Sequence, residues 1–138
     1  MDEAAFNKDG AFYNPAMQFN RDLTIACINA FMKDHETKFK ILEALGASGL
    51  RSVRFAKELT EGKVNEIICN DVSKNAVETI DKNIKDNGVE NIVKSNLDDA
   101  VNLLQRNRIS YDDRKRACLR IFWKKSMENR LLSSKDTA

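Results

Sequence analysis

Apolar residues recur along this chain at two different spacings, and the switch between them predicts the elements. Over residues 18–32, Phe19, Leu23, Ala26, Cys27, Ala30 and Phe31 fall three and four apart, as on one face of an amphipathic helix. A polar connection over 33–38 leads to 39-FKILEAL-45, an almost unbroken apolar run that predicts a strand buried on both faces. The small residues 46-GASG-49 read as a tight turn, and 50–59 as a helix burying Leu50, Val53, Phe55 and Ala56. A second strand over 64–71 ends in an acid. Residues 73–88 form the clearest helix: Ser73 as N-cap, a stripe of Ala76, Val77, Ile80 and Ile84, and Asn87-Gly88 as the stop. A third strand over 91–96 and a helix over 98–106 follow, with acids at the helix start, where the dipole favours them. Before all of these, Asn14-Pro15 signals a turn between aromatics.

Strand alternating with helix predicts an α/β fold with parallel strands and right-handed crossovers. Ligands of such sheets lie beyond the carboxyl ends of the strands. Composition adds bounds. The 138 residues suffice for one domain with a core, and 42% apolar with 32% charged residues describe an ordinary globular chain. No apolar run approaches the roughly 20 residues of a membrane span, and the acidic start does not resemble a secretory signal, so an intracellular protein is expected. Cys27, Cys69 and Cys118 are odd in number and widely spaced, which predicts reduced packing thiols. His35 is the only histidine, so no multi-histidine metal site is expected. Charge is uneven. Residues 105–138 carry ten Lys/Arg against four Asp/Glu, and residues 1–104 thirteen against seventeen. A basic tail on an acidic body suits nucleic-acid contact, or a segment foreign to the body's fold.

The chemistry concentrates at the predicted strand ends. Glycines in a turn after a strand let a ligand approach backbone amides, although such turns also exist for packing alone. Counted from Glu43, the places of a dinucleotide glycine pattern hold Leu45, Ala47 and Gly49, which argues against a pyrophosphate. The same spacing, with no further histidine for acid–base work, disfavours a NAD-dependent dehydrogenase. Asp71, 22 residues after Gly49, can accept both hydroxyls of a ribose, or simply cap the next helix. Asp98-Asp99-Ala100 repeats the choice: an acid for an exocyclic adenine amine, or a helix-start acid. Together these features suggest an adenosine ligand without a diphosphate, and S-adenosylmethionine fits.

Five segments, 12-FYNP-15, 19-FNRD-22, 42-LEALGASGLRSVRFA-56, 70-ND-71 and 96-NLDDA-100, resemble the tRNA guanosine-26 dimethyltransferases over about residues 11–104. The resemblance implies a class I methyltransferase sheet and S-adenosylmethionine as methyl donor. It also implies tRNA as partner, without metal or membrane, and methylation of the exocyclic N2 of one guanosine. Arg21 matches the arginine that reaches the methionine carboxylate, and Arg51 a second cofactor-contacting arginine. Asp71 matches the ribose acid, and Asp99 with Ala100 the adenine side. The family's next strand ends in an Asp-Pro-aromatic-Gly motif whose aspartate orients the guanine amine. Pro15 is the only proline here, so that motif is absent and no catalytic residue is assigned.

The expected organisation is an incomplete Rossmann-like sheet of three strands in a partial cofactor domain, residues 1–108, followed by a basic helical tail, 109–138. The tail does not resemble the family and reads as a truncated, spliced or misread product. On its own the chain is expected to bind the methyl donor weakly. The alternative is a non-catalytic RNA- or protein-binding fragment using the tail. The family points to the nucleus, with cytoplasm or mitochondrion as alternatives. Without a fourth strand, the first becomes an open edge, which predicts marginal stability or aggregation.

Overall fold

A computed structural model describes residues 1–7, 13–36 and 38–106. Phe12 of the FYNP segment, Cys118 and the predicted helical tail lie outside the described residues. Three strands, β1 (Phe39–Glu43), β2 (Val64–Asp71) and β3 (Val93–Leu97), form a sheet in that order, both pairs parallel. Helix α2 (Leu50–Glu58) crosses from β1 to β2, and α3 (Lys74–Asp86) from β2 to β3. Helix α1 (Gln18–Lys33) precedes the sheet and α4 (Ala100–Arg106) follows it. Each parallel connection needs a helix because its strand must return to the same end before pairing.

The sheet is held by β2, whose Ile67 and Cys69 are wholly buried against Val53 of α2 and Ile80 of α3 in one apolar cluster. Burying a side chain such as Ile67 is worth about 1.5–3 kcal/mol, so this central strand anchors the layer. The expected caps of α3 are both present. Ser73 Oγ accepts from Ala76 N at 3.4 Å, and Gly88 after the helix has φ 64°.

Three expectations need correction. Strand β1 stops at Glu43 rather than residue 45, because Ala44 turns its carbonyl to the Asn70 side chain instead of a further ladder partner. Its faces are also unequal: Phe39 and Ile41 are buried while Lys40 is exposed, so it is not covered on both sides. Among the described residues it is an edge strand.

The third correction concerns α1, whose span agrees with expectation but whose orientation does not. The stripe of Phe19, Leu23, Ala26, Cys27, Ala30 and Phe31 faces outward, with Phe19 74% exposed. The buried face carries Arg21, Thr24, Ile25, Ile28 and Met32. Apolar residues occur on both sides of this helix, and the side with an arginine won because Arg21 finds a buried carboxylate there. Cys27 consequently is not a packing thiol, whereas Cys69 is.

Candidate functional site

The three strand ends are tied together by one side chain, the asparagine of the 70-ND-71 pair. Asn70, fully buried at the end of β2, donates through Nδ2 to the carbonyls of Ala44 and Asp98, each at 3.0 Å. Its Oδ1 accepts from Asn96 Nδ2 at 2.7 Å. A buried amide must satisfy all its polar capacity, so this network fixes the height of the neighbouring strand ends.

The turn after β1 is pressed onto this support. Gly46 N donates to Asn70 O at 2.7 Å, and a Cβ on Gly46 would stand 2.5 Å from Cys69 Sγ. Only glycine fits so near a buried neighbour. Ala47 (φ 51°) and Gly49 (φ 74°) take left-handed backbone to close the turn. The Asn83 side chain of α3 donates to Ser48 O at 2.8 Å and pins the turn from the other side.

Asp71 completes it. Its Oδ2 accepts from Ala47 N and its Oδ1 from Ser73 N, both at 3.0 Å. The carboxylate therefore holds the start of the next helix, one of its two readings, and also the turn, which neither reading included. Asp71 is itself buried, and these two bonds use about half of the four lone-pair sites of a carboxylate. Asp99 likewise caps α4, its Oδ1 accepting from Val101 N at 2.9 Å and Asn102 N at 3.1 Å. Ala100 is buried beneath it. Asp98 N donates to Asp71 O at 3.2 Å, which brings the ends of β2 and β3 side by side, and the Asp98 carboxylate pairs with Arg106. Val72, Leu97 and Val101 expose large apolar side chains around these acids, a signal the sequence reading passed over.

The arginines stand toward α1 and the end of β1. Arg51, on the first turn of α2, places Nε 3.9 Å from Glu43 Oε1 and Nη1 3.4 Å from Thr24 Oγ1 of α1. Burial lowers the Arg51 pKa, with the Glu43 charge opposing. Glu43, which the sequence marks only as the residue before the turn, is a hub. Ser52 Oγ donates to its Oε2 at 2.5 Å, and Cys69 Sγ lies 3.5 Å from the same oxygen. Burial raises the Glu43 carboxyl above its ordinary value, against the Ser52 hydrogen bond and the Arg51 charge, and burial pushes the Cys69 thiol up as well. An acid closing β1, as Asp71 closes β2, was the available signal.

Arg21 is not free at the surface of the site. It is buried, and its Nε and Nη2 grip Glu3 from the 3-10 turn Glu3–Asn7. Arg54 Nη1 donates to the same carboxylate at 2.7 Å. Neither Glu3 nor Arg54 was singled out from sequence. Burial alone would raise the Glu3 carboxyl, but hydrogen bonds and charge from Arg21 and Arg54 hold it below the ordinary range.

Comparison with known proteins bears on this site. The family model described as N2,N2-dimethylguanosine tRNA methyltransferase matches residues 2–113. A tRNA (guanine(26)-N(2))-dimethyltransferase of Caenorhabditis elegans is 39% identical over 124 residues, covering 70% of this chain and 23% of the relative. Its counterpart in Schizosaccharomyces pombe is 33% identical over 156 residues, covering 77% and 28%. The chain thus spans about a quarter of the length of these curated relatives. Among solved structures, Trm1 from Pyrococcus horikoshii in complex with S-adenosyl-L-methionine superposes with TM-score 0.59 at 30% identity. That match covers 70% of this chain and 28% of Trm1. A putative O-methyltransferase from Klebsiella pneumoniae gives TM-score 0.59 at 12% identity, covering 78% and 46%, a likeness of fold alone.

Proposed function

Because the chain belongs to the N2,N2-dimethylguanosine tRNA methyltransferase family, we propose that it is the cofactor-binding part of an enzyme that dimethylates N2 of guanosine 26 in tRNA. S-adenosylmethionine supplies the methyl group of its sulfonium when bound. The chemistry of the donor set fits that molecule. Asp71 retains acceptor capacity for the ribose hydroxyls, and the Asp99 oxygen not used in capping can accept from the adenine amine. Val72, Leu97 and Val101 offer apolar surface to a flat ring. Guanidinium groups suit the carboxylate of the amino-acid end. Arg51 stands nearest the turn, and Arg21 lies about one helical turn from the Thr24 hydroxyl that Arg51 reaches.

The observation carrying this reading is the union of turn and acid: the Asp71 carboxylate at the end of β2 holds Ala47 N of the small-residue turn, and in parallel sheets ligands lie beyond such strand ends. Cofactor binding is the step we assign to the described residues. We place the boundary between this part and the basic tail near residue 108, although the match to the family model extends beyond it, to residue 113. Calorimetry of the 138-residue chain with S-adenosylmethionine tests the reading. Two charge-assisted hydrogen bonds are at stake, so Asp71→Ala should weaken binding by about tenfold or more. Wild type without heat at millimolar ligand, or an Asp71→Ala titration that overlays it, would overturn it.

A further inference from the structure

The side chain expected to receive the cofactor's carboxylate already holds one from its own chain. A carboxylate docks on a guanidinium through two parallel N–H donors, and the Nε–Nη2 edge of Arg21 is such a fork. Glu3 occupies it, with Nε at 3.2 Å from both oxygens and Nη2 at 2.5 Å from Oε2. The other edge, Nη1 and Nη2, points at Asn14 O at 3.4 and 3.3 Å, and the Tyr13 ring lies 5.3 Å from Cζ. A ligand carboxylate therefore cannot take a fork of Arg21 unless Glu3 yields it.

Yielding is open to Glu3 because it has a second partner. Arg54 Nη1 donates to Oε1 at 2.7 Å, and Arg54 is itself anchored by Glu58 and Asp22. Leaving Arg21 moves the carboxylate from two guanidiniums to one and does not strand it as a bare buried charge. The segment that carries it stays attached through Phe6, which belongs to the core. We propose that Glu3 is an internal competitor for the carboxylate-binding fork of Arg21, a built-in plug that S-adenosylmethionine must displace. The proposal rests on the assignment of Arg21 to the cofactor's amino-acid end. It gives the N-terminal segment a specific effect: ligands bearing the carboxylate are penalised, and the bare nucleoside part is not.

The test is calorimetry of the full chain with two ligands, S-adenosylmethionine and 5′-methylthioadenosine, which lacks the amino-acid end. A plug seated in about nine molecules of ten reduces apparent affinity about tenfold, so Glu3→Gln should tighten S-adenosylmethionine by about that factor. Binding of 5′-methylthioadenosine should not change. If both ligands bind and neither responds to Glu3→Gln, the plug is overturned while the adenosine site stands. Selective weakening of S-adenosylmethionine also overturns it, making Glu3 a residue that positions Arg21. If wild type binds neither ligand, the cofactor reading and this proposal fall together. Circular dichroism checks that the variant is folded. Should it melt early, Glu3→Asp keeps the charge but shortens the side chain by one methylene and loosens its grip, and the same selective tightening is expected at smaller size.

Discussion

Two carboxylates of this protein with little exposure meet opposite fates. Glu3, 5% exposed, is clasped by two guanidiniums and its pKa lies below the ordinary range. Glu43, 11% exposed, has its nearest arginine at 3.9 Å and otherwise a hydroxyl and a thiol, and its pKa is raised. Both feel the desolvation that disfavours charge. Only the first has direct charged donors in sufficient number to overcome it. The difference follows from both causes at once: desolvation weighs more on Glu43, which has few charged donors, whereas two guanidiniums hold Glu3 charged. It also divides labour, since the strongly paired acid sits on the N-terminal segment and the weakly paired one closes β1 beside the turn.

Breaking the strong cluster should have the largest effect. Arg54→Met removes the guanidinium shared by Glu3, Asp22 and Glu58 while leaving Glu3 with Arg21, and losing these charged hydrogen bonds should cost about 1.5–3 kcal/mol in urea denaturation at pH 7. A loss under about 1 kcal/mol would place Glu3 in solvent-like surroundings and erase the contrast.

Stability against pH sharpens the comparison, because the two acids pull in opposite directions. Glu3 is lowered, so its contribution is present above about pH 4.5 and is lost as pH falls through its folded value. Glu43 is raised, so the folded state holds a proton more tightly than the unfolded chain, and stability falls as pH rises from 4.5 through the folded value. Melting temperatures of Glu43→Gln should therefore fall less than wild type over that rising limb, with the acid limb unchanged. Identical profiles for the two proteins would refute the raised Glu43. The smallest effect is expected at an exposed pair, Lys40–Glu66, whose side chains are 45% and 33% exposed. Lys40→Ala should cost less than about 0.5 kcal/mol by urea denaturation at moderate salt.

Much of this was legible in the residues. Local pattern is enough where an element buries one clear face, which is why β2 is predicted to the residue and α3 with both its caps. The family, too, is readable from FYNP, FNRD and ASGLRS in order, and residues 2–113 match its model. Pattern failed on α1, where apolar residues line both sides and an arginine lies inward. Hydrophobic counting ranks Arg21 as surface, and nothing local says that Glu3, 18 residues earlier, neutralises it. Asp71 and Asp99 were placed correctly at strand ends, but a spacing cannot reveal which lone pairs are already used by Ala47, Ser73, Val101 and Asn102.

By itself, then, the sequence determined the order of strands and helices, the small-residue turn and the acids that follow it, because these follow from neighbours a few positions apart. The tertiary structure alone decided which side of α1 is covered, that Asn70 ties the strand ends together, that Glu43 is raised while Glu3 is lowered, and that Arg21 is occupied. Each of those depends on charges or donors brought together from distant positions, and their energies depend on distance and burial, which exist only once the chain has folded.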